Sequence, residues 1–486
     1  MDCGAMFPDK KMHRIAVFNM EIVGTVNPIL PVVRGLVKSG CDVRYYLSKE
    51  TFVKDVEAVG ATAVTFDEFF LRWDTLLEEE KDWLEAQGCG DPLAQLTAEA
   101  MEFQFLQMRM LYFALPGGVC IAKRLVESWS SDWCPDLVLY NCMLLHPLLA
   151  ANKLAIPSAS FSTYPGPGTP MHLSEIPEDQ REAFDARLRI HPGTQEANEV
   201  AKAVFGVDVC SSQLPCRFYS RQLNIVFSVP QLQGVVPDYQ RALIDEDTFL
   251  WAGASDSLQG GPSHRTSAPK ATGDDECAEP WIVPPGVKVV IVSLGSLTVD
   301  CRWDSAEHVS SAGRFTGRQF SERLWSELIE YFGHREELRF ILSVGSRDAK
   351  EVLGELPSNF VAQPYIEQVT ALQHADAFIT HGGCNSIKEA ALLGVPMIVV
   401  PFCVDQPSNG EAIRRLGAGT CFPDPMVTSR GSIAAALQST LGDKADEQQR
   451  CSRMLGEALQ KAGGAQAAVQ ACLNLVLHSM SAAGGA

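Results

Sequence analysis

A clustered run of lysine and arginine is missing from this 486-residue chain, whose formal charge is −19. Nucleic-acid binding draws on clustered basic side chains at the phosphate backbone, so that class of partner is disfavoured. Also missing is any run of about 18 apolar residues, the length that suggests a bilayer-crossing helix. The final stretch, LNLVLHSMSAAGGA, is far too short for one, and the opening MDCGAMFPDKKMHR lacks the apolar core of a secretory leader. No CxxC pair occurs among the 15 cysteines. Cys210 and Cys216, the closest pair, have no paired histidines nearby to complete a zinc site. Free thiols in a reducing compartment are therefore expected, with a cytoplasmic location and no membrane span. No internal repeat of short period is present.

What is there is an ordinary globular composition, 46% hydrophobic and 20% charged, on a chain too long for one core of usual size. Apolar runs of strand type, RIAVFN (14–19), DVRYYL (42–47), DLVLYN (136–141) and PSASFS (157–162), alternate with helical patterns. That alternation predicts a parallel sheet covered on both faces. The segment 97–130, containing MEFQFLQMRMLYFAL, reads either as a core-facing helix or as part of the wall of an apolar pocket. Residues 255–280 are dominated by Gly, Pro, Ser and Thr and read as a linker. A second α/β unit comes next, with strands expected in VKVVIVSLGS (287–296), LRFILSVGS (338–346), DAFITHGG (376–383) and VPMIVVPF (395–402). The polar stretch 298–318 is expected to be a loop, and a final helix is expected near 464–478. The organisation predicted is a first domain over 1–254, a linker over 255–280 and a second domain over 281–486, both α/β and doubly wound. Ligands would bind at the carboxyl ends of the strands.

The stretch FITHGGCNSIKEAALLGVPMIVVPFCVDQPSNG, 378–410, carries the chemistry. It reads as a strand, a Gly382–Gly383 turn, and a helix opening at Asn385–Ser386. Glycines let a backbone approach a ligand closely, and a helix start presents unpaired N–H groups to a phosphate. His381 can donate to an anionic oxygen. Glu389 lies three residues beyond Ser386 on the same helix face, where a carboxylate suits a pair of ribose hydroxyls. Ile387, Ala390 and Ala391 make the neighbouring buried stripe, and Gly394 and Pro396 end the helix. Asp405 and Gln406 come after the next strand, offering acceptors and donors for the hydroxyls of a sugar.

This ordered set resembles the signature of the UDP-dependent glycosyltransferases, the family of macrolide, plant secondary-metabolite and detoxifying transferases. Upstream, YIEQVTAL (365–372) resembles the family's W-x-P-Q-x-x-x-L. The resemblance puts Tyr365 where an aromatic stacks on uracil and Gln368 where a glutamine contacts the nucleoside, with Glu367 replacing the proline. Ser293, Gly295 and Ser296 match the diphosphate-facing loop, and Ser343 and Gly345 a second nucleotide-facing loop. GTVNPILPVVRGLVKSGCDVRYY resembles the family's G-H-x-N-P-x-L opening. The implied fold is the GT-B type, two facing Rossmann-like domains, with a C-terminal helix crossing back to the first. The first domain would bind the acceptor and the second the UDP-sugar.

The resemblance breaks at two positions. In the family a histidine deprotonates the acceptor hydroxyl, and an aspartate orients that histidine; Thr25 and Asn141 stand at those positions here. The expected activity is inverting transfer of a sugar, glucose foremost, from a UDP-sugar to an apolar small molecule, with no metal and no cofactor beyond the co-substrate. Another group could replace the base, His146 being the first candidate and Glu21 the second. Alternatively the acceptor needs little help, as a thiol or amine would. A third reading is a UDP-sugar-binding pseudoenzyme or partner subunit. A nucleotide-sugar epimerase would need carboxylates and histidines facing the sugar from both domains, a set that is not evident.

Overall fold

The computed structural model describes residues 12–66, 73–91, 106–131, 133–170, 176, 178–214, 217–255, 280–345 and 349–484. Its first sheet has seven parallel strands: β1 (Arg14–Phe18), β2 (Asp42–Leu47), β3 (Thr62–Thr65), β4 (Leu137–Asn141), β5 (Ser158–Ser162), β6 (Leu223–Val226) and β7 (Phe249–Trp251). They lie in the order β3-β2-β1-β4-β5-β6-β7. Strand alternation divides this sheet's residues between two cores. Ile15, Val17, Leu137 and Leu139 pack on one face, and Ala16, Phe18, Val138 and Tyr140 on the other. Burial on both faces is what a parallel sheet under helices requires.

The second sheet has six parallel strands in the order β12-β11-β8-β13-β14-β15. They are β8 (Lys288–Ser293), β11 (Leu338–Ser343), β12 (Phe360–Gln363), β13 (Ala377–Thr380), β14 (Met397–Val399) and β15 (Gly419–Cys421). Val290 and Val292 face one core, while Val289 and Ile291 face the other. In each sheet the chain reverses direction of travel beside the first strand, between β1 and β4 and between β8 and β13. Open α/β sheets bind ligands above such switch points.

Five helices frame these two switch points. α1 (Val23–Lys38) leaves β1, α2 (Leu106–Ser131) and α3 (Leu145–Lys153) flank β4, and α4 (Cys384–Leu392) leaves β13. α5 (Gln406–Arg415) comes after β14. A last helix, α6 (Gly464–Gly484), returns to the first sheet, where Ala468, Cys472 and Val476 share a core with Ile29, Val33 and Leu36 of α1. Their spacing of four puts one stripe of the helix inward. The crossing helix predicted from the resemblance is therefore present, six residues longer than the apolar pattern alone implied at its far end.

One expectation is corrected. Residues 298–318 are not a plain loop: a wide turn, Leu297–Cys301, leads to an antiparallel hairpin of β9 (Ala306–Ser310) and β10 (Gly313–Thr316). Asp424 holds its tip, accepting from Ser310 Oγ at 2.9 Å, Ser311 N at 2.9 Å and Ser311 Oγ at 3.0 Å. A partner so distant in sequence leaves no local trace. The core-facing reading of 97–130 holds for the part of α2 beyond Leu115, where Val119, Ile121 and Leu125 are buried. Residues 97–105, and with them much of the possible pocket wall, lie outside the described residues, as does 256–279 of the proposed linker.

Candidate active site

Thr25 and Asn141 sit at the first switch point, one in the opening turn of α1 and the other ending β4. The Thr25 hydroxyl donates to Met20 O at 2.5 Å and lies 2.9 Å from Ile22 O. It fastens the start of the helix to the preceding loop, a local side-chain-to-backbone bond typical of threonine. Asn141 is buried, donating to Asn19 Oδ1 at 3.0 Å and accepting from Met143 N at 3.0 Å. Asn19 in turn donates to Thr25 O at 2.9 Å and to Tyr45 Oη at 3.1 Å. An amide chain thus joins Asn141 to Thr25, but it ends on the Thr25 carbonyl and not on its hydroxyl. Asn19 closes the run RIAVFN, and its place as the polar letter ending an apolar stretch is the only signal of it in the sequence.

The structure argues against His146 as a substitute base. It is 1% exposed in α3, with its ring edge-on to Phe18 at 5.7 Å between centroids. Burial pushes its pKa down to about 3, so it is neutral near pH 7 and closed off from any substrate in solvent. Glu21 turns towards β2, where Oε1 accepts from Ser48 N and, at 2.8 Å, from Ser48 Oγ.

The donor-side residues assemble at the second switch point. His381, 8% exposed, comes directly after β13. A Cβ added at Gly295 would lie 2.5 Å from the His381 ring, and one at Gly383 would lie 2.5 Å from its Nε2. The imidazole is therefore seated between two backbone segments that only glycine can form. Burial lowers its pKa to about 4, against a backbone hydrogen bond with Ser293 that favours the cation. The ring is neutral at pH 7 and carries a single N–H. Gly382 (φ +85°) has its N–H on Thr380 Oγ1 at 3.2 Å and its carbonyl held by Asn409 Nδ2 at 2.8 Å. Helix α4 starts just beyond, with Gly383 as its cap residue and no side chain capping it, so its first N–H groups are available to a ligand.

Gln368 lies 5% exposed and donates to Glu389 Oε2 at 2.5 Å and to Ser386 Oγ at 3.3 Å. Gln368 and Glu389, the two polar groups expected at the nucleoside, are thus together, with Ser386 beside them. Tyr365, 37% exposed, stands at the rim with its hydroxyl 3.2 Å from Asp300 Oδ2. Ser343 Oγ lies 3.4 Å from Pro364 O, and Ser296 is exposed on the loop after β8.

Two expected sugar or phosphate contacts are otherwise engaged. Gln406 is buried and its Oε1 accepts from Phe402 N at 2.7 Å and Cys403 N at 3.0 Å, so its amide holds its own loop. Asn385 reaches across to the start of α1 and donates to Gly24 O at 2.9 Å. Asp405 remains at the start of α5, bonded by Asn409 Nδ2 at 2.8 Å. Burial raises its pKa, with the Asn409 bond and the nearby Lys388 acting the other way. Just before it, Val404 adopts φ +59°, a left-handed conformation costly for a β-branched residue. Its side chain packs against the cluster of Cys142 and Tyr164 in the first lobe. Lys388, unremarkable in the sequence, donates to Phe227 O at 2.8 Å and gives a further link between lobes. Among the described residues no group of three His, Cys, Asp or Glu is placed to hold a metal ion, and no helix is long and apolar enough to cross a membrane.

Known proteins fit this geometry. Residues 338–475 match the family model of the erythromycin biosynthesis protein CIII-like C-terminal domain. The oleandomycin glycosyltransferase of Streptomyces antibioticus is 25% identical over 458 residues, spanning 93% of this chain and 89% of the relative. The NDP-glycosyltransferase YjiC of Bacillus subtilis (strain 168) is 25% identical over 467 residues, spanning 94% and 96%. Among solved structures, the kitacinnamycin glycosyltransferase superposes with a TM-score of 0.66 at 24% identity, covering 96% of this chain and 99% of the other. With similarity in sequence and fold across nearly its whole length, the chain is a glycosyltransferase of the GT-B fold, similar to macrolide-type and NDP-glycosyltransferases.

Proposed function

We propose that the protein transfers a sugar, glucose foremost, from a UDP-sugar to an apolar small molecule with inversion of configuration. The observation that carries this reading is the seat of His381 between Gly295 and Gly383, at the open start of α4. The acceptor atom attacks the anomeric carbon while the bond to the diphosphate oxygen breaks with its electron pair. Charge then grows on the diphosphate, where the α4 amides and the loop at Ser293, Gly295 and Ser296 would receive it, with the His381 ring, its N–H given to the Ser293 backbone, holding that loop against the helix start. Glu389, with Gln368 and Ser386 beside it, supplies acceptors for two ribose hydroxyls; Tyr365 supplies the face for the base. Asp405 serves the sugar hydroxyls. No metal or further cofactor enters this scheme.

Thr25 is not a base, and Asn141 supports it only through Asn19 and a carbonyl. The proton of the acceptor must leave by another path. Acceptors that ionise readily or attack through a lone pair suit such a site: thiols, aromatic amines and acidic phenols.

The test is UDP release from UDP-glucose with a panel of alcohols, phenols, thiols and aromatic amines, the natural chain beside Thr25→His/Asn141→Asp. The natural chain should turn over the thiols, amines and acidic phenols. The double variant should gain about 10²-fold on simple alcohols, the usual worth of a general base. UDP should bind about tenfold tighter than dTDP, and Glu389→Ala should erase that preference by removing the acceptor for the ribose 2′-hydroxyl. Unchanged UDP affinity in both His381→Ala and Glu389→Ala would sink the donor assignment.

A further inference from the structure

The wide turn Leu297–Cys301, closed by Arg302 N on Leu297 O at 2.9 Å, comes directly after the phosphate-facing loop and carries Asp300. Its carboxylate sits between two other segments of the donor site. On one side Oδ2 accepts from the Tyr365 hydroxyl at 3.2 Å. On the other, a Cβ at Gly345 would come within 2.7 Å of Oδ1, so Gly345 is the opening that admits the carboxylate. Gly345 has φ +80°, which also suits only glycine. Three loops, after β8, β11 and β12, therefore meet at one side chain, and that side chain grips the far end of the Tyr365 ring.

We propose that Asp300 is a positioning residue that holds the Tyr365 ring as a platform for the pyrimidine base of the donor nucleotide. The proposal rests on reading Tyr365 as that platform. A tyrosine at the rim, 37% exposed, turns about two side-chain torsions and must give up that freedom when a base stacks on it. A hydrogen bond at the para position removes the freedom beforehand, so binding does not bear that cost again. The acceptor is a carboxylate, which makes the bond charge-assisted and stronger than a neutral one. It also shifts electron density into the phenol ring, and a pyrimidine with two carbonyls is an electron-poor partner for stacking. Tyr365 and Gly345 gain a shared purpose that the linear motif did not contain: the smaller aromatic is tolerated because its hydroxyl has a fixed anchor.

The experiment is titration calorimetry of the full chain with UDP and with inorganic diphosphate. The variants are Asp300→Ala, Asp300→Asn, Tyr365→Phe, Asp300→Ala/Tyr365→Phe and Tyr365→Ala. Asp300→Ala and Tyr365→Phe should each weaken UDP about fivefold, and the double variant should be no weaker than Tyr365→Phe alone, as for one shared hydrogen bond. Asp300→Asn keeps an acceptor and should stay within about twofold of the natural chain. Diphosphate affinity should not move, because the clamp acts on the base. Multiplying losses in the double variant, or equal effects on UDP and diphosphate, overturn the proposal by making Asp300 a general structural or electrostatic residue. Tighter UDP binding by Asp300→Ala overturns it as well. If Tyr365→Ala weakens UDP while Asp300→Ala does not, the clamp alone fails; if Tyr365→Ala has no effect, the platform fails with it.

Discussion

His381 and His146 are both buried imidazoles, and burial takes both below the ordinary range, to about 4 and about 3. One lies between two glycines at the second switch point, the other inside an apolar core. In the unfolded chain each would take a proton below about pH 6.5, and in the folded chain each resists it. The unfolded state therefore binds more protons as pH falls from about 6.5 towards the folded values, and stability falls with it. His146→Leu should flatten that fall, giving a melting temperature that varies less between pH 6 and 4 than that of the natural chain. An unchanged slope would count against a neutral buried His146. At this scale the sequence is partly legible. His381 and Gly382–Gly383 stand out as a motif, but the glycines read as clearance for a ligand, whereas Gly383 and Gly295 first of all clear space for the histidine itself. Gln406 looks free for a sugar only because sequence does not reveal which way an amide turns.

Helices and hairpins show where local pattern ends and tertiary partners begin. Most strands of the two sheets are short, continuous apolar runs, recognisable because a doubly buried strand needs such a run. The short strands β12 and β15 and the hairpin at 306–316 lack that mark. A related hidden feature is Glu327, fully buried, whose Oε1 accepts from Gly431 N at 3.0 Å, Ile433 N at 3.1 Å and Ala434 N at 3.3 Å. It satisfies amides at the start of the helix Ser432–Leu441 from a separate element far earlier in the chain. Glu327→Ala should cost about 2 kcal/mol in denaturant unfolding, from two buried donors and one half-buried donor left without their acceptor. UDP affinity should be unaffected, since Glu327 bonds to none of the donor loops. A variant as stable as the natural chain would show the cap to be replaceable by water.

Across the whole molecule, the two sheets are tied at more than one level. Asn385 and Lys388 bond to backbone carbonyls at Gly24 and Phe227, and α6 packs on α1. Gly35 marks the close approach of those two helices: a Cβ there would lie 2.6 Å from Val469 Cγ2. Gly35→Val should push α6 off the first lobe and destabilise the protein by about 1–3 kcal/mol, the usual cost of overpacking. Thermal unfolding would read the loss, and a matching Val469→Ala substitution should recover most of it. The domain boundary at 255–280 is a proposal from composition, and limited proteolysis should cut there before it cuts either lobe. Uncut chains at that stretch would move the boundary.

The sequence by itself determined the architecture and marked out the candidate donor residues, because both rest on local regularities. Buried parallel strands demand apolar runs, helix starts demand glycine or small polar residues, and a nucleotide-sugar motif gathers its His, Glu and Asp within some thirty residues. Tertiary structure alone decided how those groups are spent. It turned Asn385 into a bridge and Gln406 into a loop brace, buried His146 beyond reach of a substrate, and linked Thr25 to Asn141 through Asn19. It also set Asp300 against Tyr365. The physical reason is that a polar side chain's role depends on its nearest partner, and for most of these residues that partner lies on another segment of the chain.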